Sequence, residues 1–311
     1  MINMSEFASL FESTMNYWCP FLQFVTPLNW LVWGVGSIVV ADLAFIFSII
    51  VFEFAAANAQ SATITYRNGK TRSECVTATY QKISRKQQFL DVMWTLLGPT
   101  AWLNAVMSAI ICSYFFPVSP QTPLFPSLAV FLRDLVLLCI LADFFLYWGH
   151  RVQHSNEFLW AKCHSYHHRI DTPTALSTAS IDSLDGTLQG GLPVILAGLL
   201  LSPHPITFYT FEVVHFLDNV MNHCGISTAA LVNGTIRNDG SSVISTIASA
   251  LAILTFKGAG PVRAGIEHHD CHHKYSNYTQ NAKNFGEFFT VWDHLFGTFS
   301  KASLRSTASR E

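Results

Sequence analysis

Between residues 28 and 256 the chain returns repeatedly to apolar runs of membrane-crossing length, and that recurrence restricts it to a helical bundle in a bilayer. Leu28–Phe52, Val92–Phe116 and Leu128–Trp148 each reach the roughly 20 residues needed to cross about 30 Å of hydrocarbon. Each is predicted to span. Thr187–Leu201 and Ile206–Val220 are shorter and are separated only by Ser202-Pro203-His204-Pro205, which predicts a tight helical hairpin that dips into or crosses the bilayer. Only 12% of the residues are charged, against roughly 25% in an average soluble domain. No Ser/Pro/Gly-rich linker divides the apolar region. The expected fold is therefore one all-α integral membrane domain, about three spanning helices plus the hairpin.

Charge sets the expected sidedness, because Lys and Arg near span ends are retained in the cytoplasm. Arg67, Lys70, Arg72, Lys82, Arg85 and Lys86 all fall between the first two predicted spans, whereas the Pro117–Ser127 connection holds four prolines and no charge. The basic loop is predicted cytoplasmic, and the third span and the hairpin each return the chain to that side. A net charge of −2 with dispersed basic residues excludes a nucleic-acid footprint. The seven cysteines are odd in number and form no C-x-x-C pair, so neither a disulfide framework nor a zinc ribbon is expected. The first residues carry Glu6 and Glu12 and no basic cluster, unlike a cleaved signal peptide.

The 13 histidines are strongly clustered. Residues 150–168 hold five, and residues 268–273 hold four in the run EHHDCHH. Residues three or four apart share a helix face. His150 and His154, in HRVQH, are thus expected to project together, as are the trios His164, His167, His168 in HSYHH and His269, His272, His273 in HDCHH. These eight imidazoles are predicted to converge on the cytosolic side and to hold two metal ions. Imidazole suits iron, zinc, copper and nickel alike, so spacing identifies a metal site and not the metal. A lone histidine is ordinarily structural, and His204 and His294 are read that way. Asp143, two helical turns before His150, is expected to point inward and orient an imidazole. Arg133 and Asp134 are expected to pair or to mark a span boundary, and Asp42 has no evident partner in the first span. Cys163, Cys224 and Cys271 adjoin histidines but are read as small buried residues.

HRVQH, HSYHH and HDCHH, in this order, resemble the histidine boxes of the fatty acid hydroxylase superfamily, which includes sterol C4-methyl oxidases, sterol C5-desaturases and cholesterol 25-hydroxylase. The flanks agree: Asp143 and Tyr147 before the first box, His223-Cys224-Gly225 between boxes, and Asn284-Phe285-Gly286, Trp292-Asp293 and Phe296-Gly297-Thr298 after the last. The resemblance runs from Asp143 to Ser300. It implies a region 143–300 of fatty acid hydroxylase type, after membrane spans and a basic loop in 1–142 and before a disordered tail, 301–311. It further implies two irons that use O2 and electrons to oxidise a C–H bond of a lipid, sterol or isoprenoid-like substrate. The electrons would come from NAD(P)H through cytochrome b5 and its reductase, at the endoplasmic reticulum with the site facing the cytosol.

Carried over by motif, His150, His154, His164, His167, His168, His269, His272 and His273 are the expected ligands, with His223 as a ninth. His268, His215 and Asn219 are further candidates for ligation or contact. Between His223 and His269 the chain carries roughly twenty residues more than the family pattern, in the stretch 233–256. Its apolar run Ser242–Phe256 is predicted as an added re-entrant helix near the substrate entrance. Hydroxylation is the favoured outcome, with desaturation or C4-methyl oxidation as variants of the same chemistry. A histidine-rich metal transporter is the distant alternative, and it would place ionisable residues along a path at the bilayer midplane.

Overall fold

The computed structural model describes residues 25–59, 83–236, 243–276 and 282–300, together with Ser5, Glu6, Ser9 and Ser13. Arg67, Lys70, Arg72 and Lys82 of the basic loop, and the tail 301–311, lie outside the described residues. The described fold is all-helical, with one isolated backbone bridge between Arg263 and Phe289.

Helix α1, Pro27–Asn58, starts where the Thr26 hydroxyl accepts from Asn29 N–H and Pro27 presets the first turn. One face buries Phe45, Ser48, Ile49, Phe52 and Ala55, at helical spacing, while Leu43 and Phe54 on the other are 63% and 56% exposed. Such an apolar outer surface belongs in lipid. Lipid tails are as apolar as leucine, so helices here associate by close packing, which small residues such as Ala44, Ser48 and Ala55 permit.

The predicted second span is two helices, α2 (Arg85–Leu97) and α3 (Pro99–Phe115). It begins seven residues earlier than the apolar run because Ser84 caps α2, accepting from Gln87 N–H. The break falls at Gly98, where a Cβ would lie 2.1 Å from the Trp94 carbonyl oxygen and Pro99 cannot donate to the preceding turn. Helix α4, Leu128–Ser155, contains the predicted third span and continues past it to carry His150 and His154. Arg133 and Asp134 do pair, at 2.7 Å.

The hairpin is longer than its apolar runs. Helix α5, Ser183–Leu201, starts at an Asp182 cap and passes Gly186–Gly191 as a π-helical stretch. Helix α6, Pro205–His223, extends three residues beyond Val220 and so delivers His223. Between them Ser202 adopts φ 46°, and His204 holds the turn by accepting from Ile206 N–H and donating to the Pro123 carbonyl at 2.8 Å. Among the described residues, the helices long and apolar enough to cross a membrane are Pro27–Asn58, Arg85–Phe115 and Ser183–Leu201. The first limb of the hairpin thus takes the place expected of Leu128–Trp148 in that set.

The apolar run after residue 242 forms helix α7, Val243–Leu254, which lays Ser245, Ala248, Ser249 and Ala252 inward and packs on α1. Lys257, just past it, is buried and donates to Asp218 at 3.1 Å and to Asn222 on α6; Arg263 pairs with the same Asp218. Helix α8, Ile266–Tyr275, then packs on α6 and carries the last histidines.

Candidate metal centre

The two HxxHH boxes do not behave as single faces. His164 closes a π-helical turn, Trp160–His164, and His167 and His168 lie in a 3-10 turn, His167–Arg169, so the first trio has no common helix face. On α8 the trio is helical, but at about 100° per residue His272 projects well away from the direction shared by His269 and His273. The outcome is two groups. His150, His154, His164, His168 and His272 form one, and His167, His223, His269 and His273 the other, with all candidate ligand atoms of a group within 4.8 Å of one another. Every one of these side chains is buried. The expected joint projection of each trio is corrected accordingly: each HxxHH box contributes to both groups. The groups abut, with the His168 and His273 rings stacked at 4.7 Å.

In six of the nine imidazoles Nδ1 is already committed. His167 Nδ1 donates to the Ser180 carbonyl at 3.3 Å, His223 Nδ1 to the Asn219 carbonyl at 2.8 Å, and His273 Nδ1 to the Ile170 carbonyl at 3.2 Å. A neutral imidazole has one proton, so all three Nε2 atoms are bare lone pairs. Yet His223 Nε2 and His167 Nε2 lie 3.3 Å apart, with no proton to place between them. The other group repeats the pattern: His150 Nδ1 donates to the Phe285 carbonyl at 3.1 Å, His272 Nδ1 to the Lys283 carbonyl at 2.7 Å, and His164 Nδ1 to Asp185 at 3.0 Å. Buried His164 Nε2 then has no hydrogen-bond partner at all. A cation in each group removes both the repulsion and the orphaned lone pair, and these Nδ1 bonds are the kind that orient metal ligands. The donor set therefore fits two metal ions.

Electrostatics agree. Burial, reinforced by neighbouring imidazoles, holds His168, His269, His272 and His273 well below the usual histidine range. Burial followed by the nearby His164 brings His167 down to about 4. At neutral pH all are neutral and available as ligands.

The remaining candidates lie around the groups rather than in them. Asp143 bonds no imidazole: its carboxylate accepts from the N–H groups of Glu287, Phe288 and Phe289 at 2.9–3.1 Å and from the Trp292 indole at 3.0 Å. The expected imidazole-orienting role is thus indirect, through the loop whose Phe285 carbonyl receives His150. His268 donates from Nε2 to Asp293 and stacks on Phe299. His215 lies flat between Phe211 and Phe288. Asn219 donates to Glu287 at 2.6 Å. His294 stacks on Phe299 at 3.9 Å. No cysteine joins either group among the described residues.

Asp185 was not foreseen. It accepts from His164 Nδ1–H and also from Gln153 at 3.0 Å, but nothing in SIDSLDG, 21 residues downstream, announces such a contact. Asp293, noted in the sequence only as part of the flanking motif, is a second centre, holding the 285–286 backbone, Thr298 and His268 together.

A cavity touches the second group, lined by His167, His223, His215, Asn219 and Phe216 among others. It shares Phe45, Thr95, Ile181, Gly190 and His215 with a second, mainly apolar cavity that continues between α1, α3, α5 and α6. Together they make a greasy path from the membrane helices to the imidazoles. Helix α7 lines neither, so the added segment does not sit at this path as expected.

The fatty acid hydroxylase family model matches residues 135–298, 164 of the 311 residues. The chain belongs to this family. Among proteins similar to this family member are methylsterol monooxygenase 2-2 of Arabidopsis thaliana, 29% identical over 159 residues, or 51% of this chain and 49% of that protein. Sphinganine C4-monooxygenase 1 of Arabidopsis thaliana is 27% identical over 183 residues, 57% of this chain and 58% of that protein. A cholesterol 25-hydroxylase-like protein of Danio rerio is 27% identical over 221 residues, 68% of this chain and 76% of that protein. The chain thus spans about half the length of the first of these relatives. No solved structure matches it.

Proposed function

We propose that the protein is a membrane-bound non-haem di-iron oxygenase that hydroxylates a C–H bond of an apolar lipid, sterol or isoprenoid-like substrate. The observation that carries this reading is a pair of abutting buried imidazole groups, five and four strong, the second of which lines the inner end of an apolar path between membrane helices. His150, His154, His164, His168 and His272 would hold one iron, and His167, His223, His269 and His273 the other. Bound there, the pair would supply O2 activation and the oxidising power for an unactivated C–H bond.

The chain's own residues do the rest. Backbone carbonyls and Asp185 fix the tautomer and tilt of six of the imidazoles, His150, His164, His167, His223, His272 and His273, so that Nε2 faces inward before any ion arrives. The Asp143 carboxylate holds the 287–289 backbone, and with it the Phe285 carbonyl that orients His150. The apolar path admits a lipid and leaves water behind, which strengthens every electrostatic contact at the centre. Electrons would arrive from NAD(P)H through cytochrome b5 and its reductase on the cytosolic side, at the endoplasmic reticulum.

The test is metal analysis of the purified protein together with lipid turnover. About two irons per chain and O2-dependent oxidation of a lipid support the reading. Exchangeable ions with no O2 consumption would mean a metal carrier.

A further inference from the structure

The apolar path holds a polar end that the chemistry at the imidazoles does not use. Glu212, 6% exposed, faces the cavity between α1, α3, α5 and α6. Its Oε1 accepts from the Ser37 hydroxyl, while Oε2 is buried without a hydrogen-bond partner. Across the same cavity the Asn104 Oδ1 is likewise buried and unpartnered, and the Asp42 carboxylate, the acid without an evident mate in the first span, joins the lining. No Lys or Arg lines this cavity. Two carboxylates and an amide oxygen thus line one mainly apolar cavity, where the Ser37 hydroxyl serves Glu212 Oε1 while Glu212 Oε2 and Asn104 Oδ1 go without a donor.

An unpaired buried acceptor costs as much as a lost hydrogen bond, and a buried carboxylate costs more. Ser37 accounts for only one oxygen of Glu212, so a purely structural clamp leaves the other unexplained. The geometry points to a head-group site: Glu212, with Asp42 and Asn104, binds a hydrogen-bond-donating polar end, a hydroxyl or an ammonium, on the lipid substrate. This rests on the lipid-oxidase reading above.

The site has a ruler. Glu212, His215, Asn219 and His223 follow one another on α6 at intervals of three, four and four, so they share one face. Glu212 lines the outer cavity, His215 both, and Asn219 and His223 the inner one. Eleven residues separate Glu212 from His223, a rise of about 16 Å at 1.5 Å per residue. A substrate gripped at Glu212 therefore offers a carbon remote from its head group to the imidazoles, not a carbon beside it.

The experiment measures binding to the full-length protein in nanodiscs by displacement of a tritiated lipid, with matched probes differing only in the donor. The pairs are octadecanol and methyl octadecyl ether, octadecylamine and trimethyloctadecylammonium, and cholesterol and cholesteryl methyl ether. In at least one pair the donor-bearing probe is expected to bind about tenfold more tightly, the worth of one well-made buried hydrogen bond. The responding pair names the head group. Glu212→Gln, which keeps an acceptor for Ser37, is expected to erase most of that preference, and Asp42→Asn to reduce it. Equal binding within every pair by the wild-type protein, or no binding of any probe, overturns the proposal even if both variants fail to fold. Oxidation beside the head group of a turned-over substrate overturns it too. Because iron content and product are scored separately, flat head-group preference in an active enzyme removes the anchor and leaves the oxidase reading standing.

Discussion

His272 and His273 are chain neighbours whose rings lie 5.9 Å apart at 88°, and they belong to different imidazole groups. Substituting either by Ala should thus remove one ligand from one ion only. Iron per chain is expected to fall from about two towards one in each variant, with product formation abolished and the protein still in the membrane. Metal analysis beside a turnover assay checks this. Near-normal turnover by His272→Ala would make the ligand assignment of that box wrong.

Asp185 acts on the centre through His164. Asp185→Asn leaves the Gln153 contact feasible but no longer favours the His164 tautomer with a bare Nε2. Iron affinity is expected to drop about 10- to 100-fold, with a smaller change in thermal stability. Competition with a chelator reads it. An unchanged affinity would limit Asp185 to packing.

Asp143 takes four donors, three of them backbone N–H groups. Asp143→Ala leaves these buried, at about 1–3 kcal/mol for each unsatisfied group. Complete loss of the folded protein, or a midpoint temperature many degrees lower, is expected from a thermal melt in detergent. A wild-type melt would show that water replaces the carboxylate without penalty.

The iron-free protein should be acid-sensitive above the range where carboxylates titrate. His167 is brought from 6.5 down to about 4 by burial and then by His164, so between those values the unfolded chain binds more protons than the folded one. Stability is present above pH 6.5 and is lost as pH falls through 4. His168, His269, His272 and His273 are shifted in the same direction and add to the slope. Melting temperature should drop steadily between pH 7 and pH 5 in iron-free protein and less with iron bound. A flat profile would mean that these imidazoles are hydrated.

What the sequence made legible was spacing and composition. Eight of the nine histidines of the two groups stand out by clustering and by their boxes, His223 was reached only through the resemblance, and the apolar runs announce the helices. Which ion each imidazole faces depends on backbone form, and the π-helical and 3-10 turns around His164 and His168 carry no signature in HSYHH. Gly98-Pro99 was a readable breaker inside the second run, masked by the apolar residues on both sides. Asp185 was not readable, and Asp293 was readable only as part of a flanking motif, since the partners of both are set by tertiary folding. The segment 233–256 looked like an addition to the family pattern. Lys257 at its end is buried against Asp218 and Asn222, so the segment is tied into the fold.

Each imidazole group draws on residues 150–168 and on residues 269–273, more than a hundred positions apart, and the Asp143 clamp closes across a similar separation. During synthesis a ribosome therefore exposes the early histidines long before their counterparts exist. The first group lacks only His272 before α8 is made, whereas the second holds only His167 from the early segment and cannot form without α8. With the proposed irons, filling of the second group is expected only in a chain completed through α8 and docked, which would place that step late in the protein's biogenesis.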